Sequence, residues 1–358
     1  MLHIPLSSPR LRLPILISGM ACLLLGVAGG LWRLGLEIPL PDTQPATFHG
    51  ALMVAAFFGT VIGLERAVES GSRLAFLAPF GAATGGLAMA FGLPGWLSGA
   101  LLAGGALVFA LLGWRGWKQQ GSLPSAVALG GALCLLGANG LWWWGWLTSE
   151  LVGLWFSFLL LTITAERMEL TPGAPRCFAL LAATTALGAM MLPFHWRTGT
   201  AVMGVALVLL AICLLRLDPA RSKTGASGLS GFTARCLVSG YVWLGIGGAL
   251  LPFAGPAGPH YDAALHALLL GFVFAMVFGH APLVFPGIIG RPMAYSPLFF
   301  SHLLALQASL LLCLAGDLLD KPDWRLWGGI GNAITLALFL TLTARALLQG
   351  NGSTAPRT

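Results

Sequence analysis

The sequence predicts an all-α, polytopic membrane bundle of about twelve transmembrane helices, and three observations point to it. Hydrophobic residues make up 57% of the 358 positions and charged residues only 9%. Mean hydropathy is +0.85, whereas a soluble domain facing water carries roughly a quarter charged residues. The apolar runs are about 20 residues long rather than alternating runs of about 10, which selects helices over a closed barrel.

The spans are expected at 13–33, 46–68, 74–92, 96–114, 124–146, 150–168, 176–194, 198–216, 232–253, 261–286, 295–315 and 326–348. Turn signals separate them: Pro39 to Pro41, Pro94-Gly95, Gly121-Ser122, Pro172-Gly173, Pro292 and Lys321-Pro322. The one long polar connection, 218–230, carries Arg221 and Lys223. Residues 13–31 do not read as a cleaved signal, because no small-residue cleavage site follows and the chain continues in the same style.

Charge sets the expected orientation. Of the 19 basic residues, 15 fall on one side of the bundle, from Arg10, Arg12, Arg66 and Arg73 through to Arg345 and Arg357. Arg33, Arg197, Lys321 and Arg325 fall on the other. Positive residues concentrate in the cytoplasm, so both termini are expected there, with the chain in a bacterial inner (plasma) membrane. Trp142, Trp143, Trp144 and Trp146 then form an outer aromatic belt. The net charge of +7 is an orientation signal and not a nucleic-acid footprint, so no nucleic-acid partner is expected; the partners are membrane lipid and a small molecule.

A weak internal repeat is visible. Helix 2 ends Glu65-Arg66 and helix 6 ends Glu166-Arg167, an offset of 101 that also sets Glu150 opposite His49. Helix 10 begins at His266, an offset of 217 from His49. Helices 2, 6 and 10 are four apart, which suggests three pseudo-symmetric four-helix units at 13–114, 124–216 and 232–348 in one transmembrane domain.

Ionisable residues at membrane depth are costly and therefore functional candidates. His49 and His266 lie at similar depth in the outer part of their helices, and two neutral imidazoles on facing helices suit axial ligation of haem iron. The plainer reading is two histidines hydrogen-bonded between helices. His280 lies 14 residues beyond His266, roughly 21 Å deeper and within about 40° of the same face of an α-helix. His280 and His302 are expected to share the inner half of the membrane, where with Met276 they could bind copper; polar contacts between helices are the alternative. Glu150 is either an anion at a helix N-terminus or a proton-relay group, and His280 is the other candidate for catalysis. His195 and His260 are expected at outer helix ends, solvated or bound to cofactor propionates, with Arg197 a matching propionate partner. Glu65-Arg66 and Glu166-Arg167 read as interfacial salt bridges, or as a proton entry. Asn139, Gln307 and Asn332 read as polar contacts between helices, and the 49 glycines as sites of close helix approach. The six scattered cysteines contain no CxxC and read as small hydrophobes, without a disulfide framework or a thiolate metal site. No phosphate-binding or dinucleotide loop supports nucleotide-driven transport.

The stretch Thr47-Phe48-His49-Gly50-Ala51-Leu52-Met53, with His on helices 2 and 10, resembles the catalytic subunit of the haem–copper oxidases. That resemblance implies haem ligation by His49 and His266. The pattern departs from that family: Ala264 stands where helix 10 would carry a second His, and helices 6 and 7 lack the copper-ligating His residues, so no dioxygen-reducing dinuclear centre is implied. The chain more closely resembles the NnrS family, twelve-helix bacterial membrane proteins with haem and copper linked to nitric oxide, through Ala264-Leu265-His266-Ala267 and the His49 helix. Here the departures are His49-Gly50 in place of a His-Glu pair, and His280-Ala281-Pro282. The resemblance implies haem b, possible copper, and a redox role in nitric oxide reduction, tolerance or sensing, with a quinol or cytochrome donor. The rival readings are a proton-coupled small-molecule transporter and a non-catalytic assembly factor.

Overall fold

The computed structural model describes residues 9–40, 44–171, 173 and 176–350, with the side chains of 9–11 left aside. Pro41, Pro172, Arg357 and the side chain of Arg10, which entered the sequence reading, lie outside that set.

The chain is all-helical and forms a polytopic membrane bundle. Twelve principal helices follow in order: α1 (Pro9–Arg33), α2 (His49–Ser70), α3 (Leu74–Ala90), α4 (Gly95–Gln120), α5 (Leu123–Trp143), α6 (Thr148–Leu170), α7 (Arg176–Met191), α8 (Trp196–Leu217), α9 (Gly228–Phe253), α10 (Pro259–Ile289), α11 (Phe299–Leu318) and α12 (Pro322–Gln349). Among the described residues, ten of these are long and apolar enough to cross a bilayer, and α3 and α7 are shorter apolar helices. Most expected boundaries fall within four residues of those observed. The exception is the end of α4, expected at 114 and found at Gln120. There the helix runs on through polar residues, with Lys118 Nζ over the rings of Trp114 and Trp117, and stops where Gly121 turns left-handed at φ 61°.

Two compact units divide within α8, at Met203 and Gly204. The sequence repeat divides the chain into three by order along the chain, whereas these two units follow from packing.

In the unit ending at Met203, α2 is the packing centre, touching α1, α3 and α6. Asn139 on α5 joins three helices: its Nδ2 donates to Leu102 O of α4 at 3.1 Å, and its Oδ1 accepts from Trp155 Nε1 of α6 at 2.8 Å. At the repeated Glu-Arg ends, Arg167 pairs with Glu166 at 2.9 Å, while Arg66 pairs at 3.0 Å with Glu69, three residues on. Ser122 caps α5, accepting from Ser125 N, with Pro124 in the first turn.

In the unit beginning at Gly204, α10 packs on α9 and α11, and α11 runs along α12. The polar contacts between helices recur: Trp243 Nε1 donates to Gln307 Oε1 at 2.6 Å, and Ser309 Oγ donates to Asn332 Oδ1 at 2.7 Å. Small residues set the crossings. A Cβ on Gly328 would collide with the Cys313 backbone, and one on Gly316 with the Arg325 backbone. The helices aligned by the sequence repeat, α2, α6 and α10, are also the most enclosed candidate spans, 72% buried each against at most 50% for the others.

Candidate metal centres

His49 opens α2, and its ring is held by α1. Nδ1 lies 2.6 Å from the carbonyl oxygen of Gly26. A carbonyl only accepts, so Nδ1 carries the proton, and in the neutral imidazole the lone pair is then on Nε2. Room for the ring comes from Gly30, one turn along the same face of α1, where a Cβ would stand 2.8 Å from His49 Cε1 and 3.0 Å from Nδ1.

His266 is the eighth residue of α10. It faces α11, where Cys313 and Asp317 project one turn apart. One donor atom from each of the three side chains lies within 4.8 Å of the others. Cys313 and Asp317 are buried, and the Asp317 side chain has no exposed surface. Neither Asp317 carboxylate oxygen has a hydrogen-bond partner among the described residues, and Arg325 Nη1 stands off at 3.9 Å. Cys313, read from the sequence as a small hydrophobe, is buried as that reading expects and stands beside an imidazole and a carboxylate. Asp317 shares its helix, but His266 comes from α10, so no spacing motif along the chain could reveal the group.

Both histidines introduce the same backbone irregularity. Three residues after His49, the helix widens to a π segment over Leu52–Phe58; directly after His266 it does so over Ala267–Phe274. At the repeat offset of 217, the first segment maps onto 269–275. π segments are rare and concentrate at functional sites, because the extra residue re-aims the side chains around it. This shared feature is not visible in residue type or hydropathy.

The remaining sequence candidates are placed as follows. Glu150 caps its own helix, its Oε2 accepting from Leu147 N at 2.9 Å, which matches the helix-terminal reading. Nδ1 of His280 donates back to Met276 O at 2.7 Å. The Met276 methyl occupies the space that a Cβ on Gly240 of α9 would fill. His302 is buried in a box of Phe232, Phe278, Phe299 and Phe339, with ring centroids 4.6 to 5.8 Å away. Neither ring nitrogen of His302 has a hydrogen-bond partner among the described residues.

The face of α10 that meets His302 is that of Phe278. His280 comes two residues later, about 200° round the helix. The expected shared His280–His302 pair is therefore replaced by an aromatic contact. The estimate of 40° between His266 and His280 also assumed α-helical turns across what is a π segment. His195, Arg197 and His260 are exposed at or near helix starts, as expected of solvated groups.

A family described as a domain of unknown function (DUF8744) matches residues 12–348. Comparison with curated proteins gives no match.

Proposed function

The chain belongs to the DUF8744 family, and we propose that this member is a haem b-binding redox protein of a bacterial plasma membrane that acts on a small oxidant such as nitric oxide. The observation that carries the proposal is the hydrogen bond from His49 Nδ1 to Gly26 O. Metal-ligating imidazoles almost always donate their other N–H to a carbonyl or carboxylate, which fixes the tautomer and ring plane and raises ligand basicity. His49 is thereby prepared to ligate through Nε2. The likeness of the His49 and His266 helices to the NnrS pattern supports haem as the group, and the π segment beside each histidine supports a functional rather than a packing role.

Bound haem supplies one-electron chemistry and an iron site for a diatomic ligand. In this chain His49 would hold the group, and the exposed Arg197 would pair with a propionate. The sequence reading also gave His266 to the iron. The thiol and carboxylate beside His266 favour His49 as the residue that would hold the haem. The phenyl box around His302 does not favour copper there, and copper is not part of the proposal. Both termini are assigned to the cytoplasm on the positive-residue asymmetry, with a quinol or a cytochrome as donor.

The test is an absorption spectrum of protein purified from haem-replete cells. The expected result is a Soret band that nitric oxide shifts, that His49→Ala abolishes and that His266→Ala leaves in place. A colourless wild-type preparation overturns the proposal.

A further inference from the structure

We propose that His266, Cys313 and Asp317 form a binding site for a divalent transition metal of the zinc class. The site does not depend on the haem assignment.

The donor set selects the metal. A thiolate, an imidazole and a carboxylate together suit Zn²⁺ or Co²⁺, whereas Mg²⁺ and Ca²⁺ take oxygen ligands. Ligand bonds of about 2.0–2.3 Å bring the donors of a tetrahedron to roughly 3.5 Å from one another. Donor atoms already within 4.8 Å need only a small closure. Three protein ligands leave one coordination position open, the pattern of a site that also takes water or substrate.

Asp317 is the independent sign of a missing cation. A carboxylate enclosed in a membrane bundle without hydrogen bonds is costly. Arg325 at 3.9 Å is too far for a direct hydrogen bond and is 37% exposed, so it neutralises Asp317 only in part. Asp262, one helical turn before His266, interacts electrostatically with both Cys313 and Asp317. The charged groups facing the site, once the thiol has released its proton, are therefore three anions and Arg325. A dication brings that set to neutrality.

The helices hold the donors in place. Gly328 lets α12 press on the backbone at Cys313, and Gly316 does the same for Arg325 and the turn bearing Asp317. Asp317 is the penultimate residue of α11, and His266 lies in the first eight residues of α10. Asp317 and His266 therefore lie towards adjoining ends of α11 and α10.

The experiment uses full-length protein in detergent, stripped with a chelator and then titrated with Co²⁺. Expected are one cobalt per chain and a near-ultraviolet sulfur-to-cobalt charge-transfer band, which Zn²⁺ removes and Mg²⁺ does not. Cys313→Ser should abolish the band, and Asp317→Asn should weaken cobalt binding by at least about tenfold. His49→Ala should leave cobalt binding unchanged, which separates this site from the haem. Wild-type protein without the band overturns the proposal on its own, even where a variant fails to fold. Binding of wild-type affinity in both variants overturns it too.

Discussion

A methyl group on Gly30 would stand 2.8 Å from Cε1 of His49, so the bare backbone at Gly30 is what lets the imidazole reach Gly26 one turn earlier on α1. Gly30→Ala should displace the ring and stretch the bond to Gly26 O. Overpacking of this kind costs about 1–3 kcal/mol. The expected result is a folded protein that retains less haem per chain than wild type. Pigment-to-protein ratio measures it, and an unchanged ratio would show that the ring position does not matter for haem.

His302→Phe should be tolerated. The buried imidazole makes no hydrogen bond among the described residues and sits among four phenyl rings. Replacing a polar ring with an apolar one of similar shape removes a desolvation cost. Thermal unfolding in detergent should show an equal or higher midpoint, with metal content unchanged. A sharp loss of bound metal would restore His302 as a ligand.

Tyr241→Phe should destabilise the unit that begins at Gly204. The Tyr241 hydroxyl donates to Asp218 Oδ2 at 2.8 Å, while Asp218 Oδ1 accepts from Ala220 N at 2.7 Å. Both residues are buried. A hydrogen bond to a charged group is worth about 1.5–3 kcal/mol. A lowered unfolding midpoint is expected, together with faster proteolysis of the 218–230 connection.

Arg325→Ala should destabilise metal-free protein, because it removes the cation that stands 3.9 Å from the enclosed Asp317 carboxylate. Adding Asp317→Asn should recover most of the loss, since the amide carries no charge to desolvate. Unfolding midpoints of the two single variants and the double variant check this. Independent, additive effects would mean that the two side chains do not interact.

Much of the fold was legible in the chain. The spans at 198–216 and 326–348 were found within four residues, because each is a long apolar run closed by a Pro, Gly or charged residue. Asn139, Gln307 and Asn332 were read correctly as contacts between helices, since an amide in a membrane span has few other uses. The candidate sites were only half legible. His49 and His266 stood out as imidazoles among apolar residues. Gly26, Gly30, Cys313 and Asp317 did not, because each looks ordinary within its own helix.

Sequence by itself determined the solvent, the helical class and the order of the helices, because hydropathy and helix length are local sums over neighbouring residues. Tertiary structure alone decided which donors meet. The grouping of His266, Cys313 and Asp317 arises from the packing of α10 on α11, and the His49–Gly26 bond from the packing of α2 on α1. The π segments belong with them: an i to i+5 hydrogen bond in place of i to i+4 leaves no trace in composition or periodicity, yet it turns the side chains of α2 and α10 to new directions.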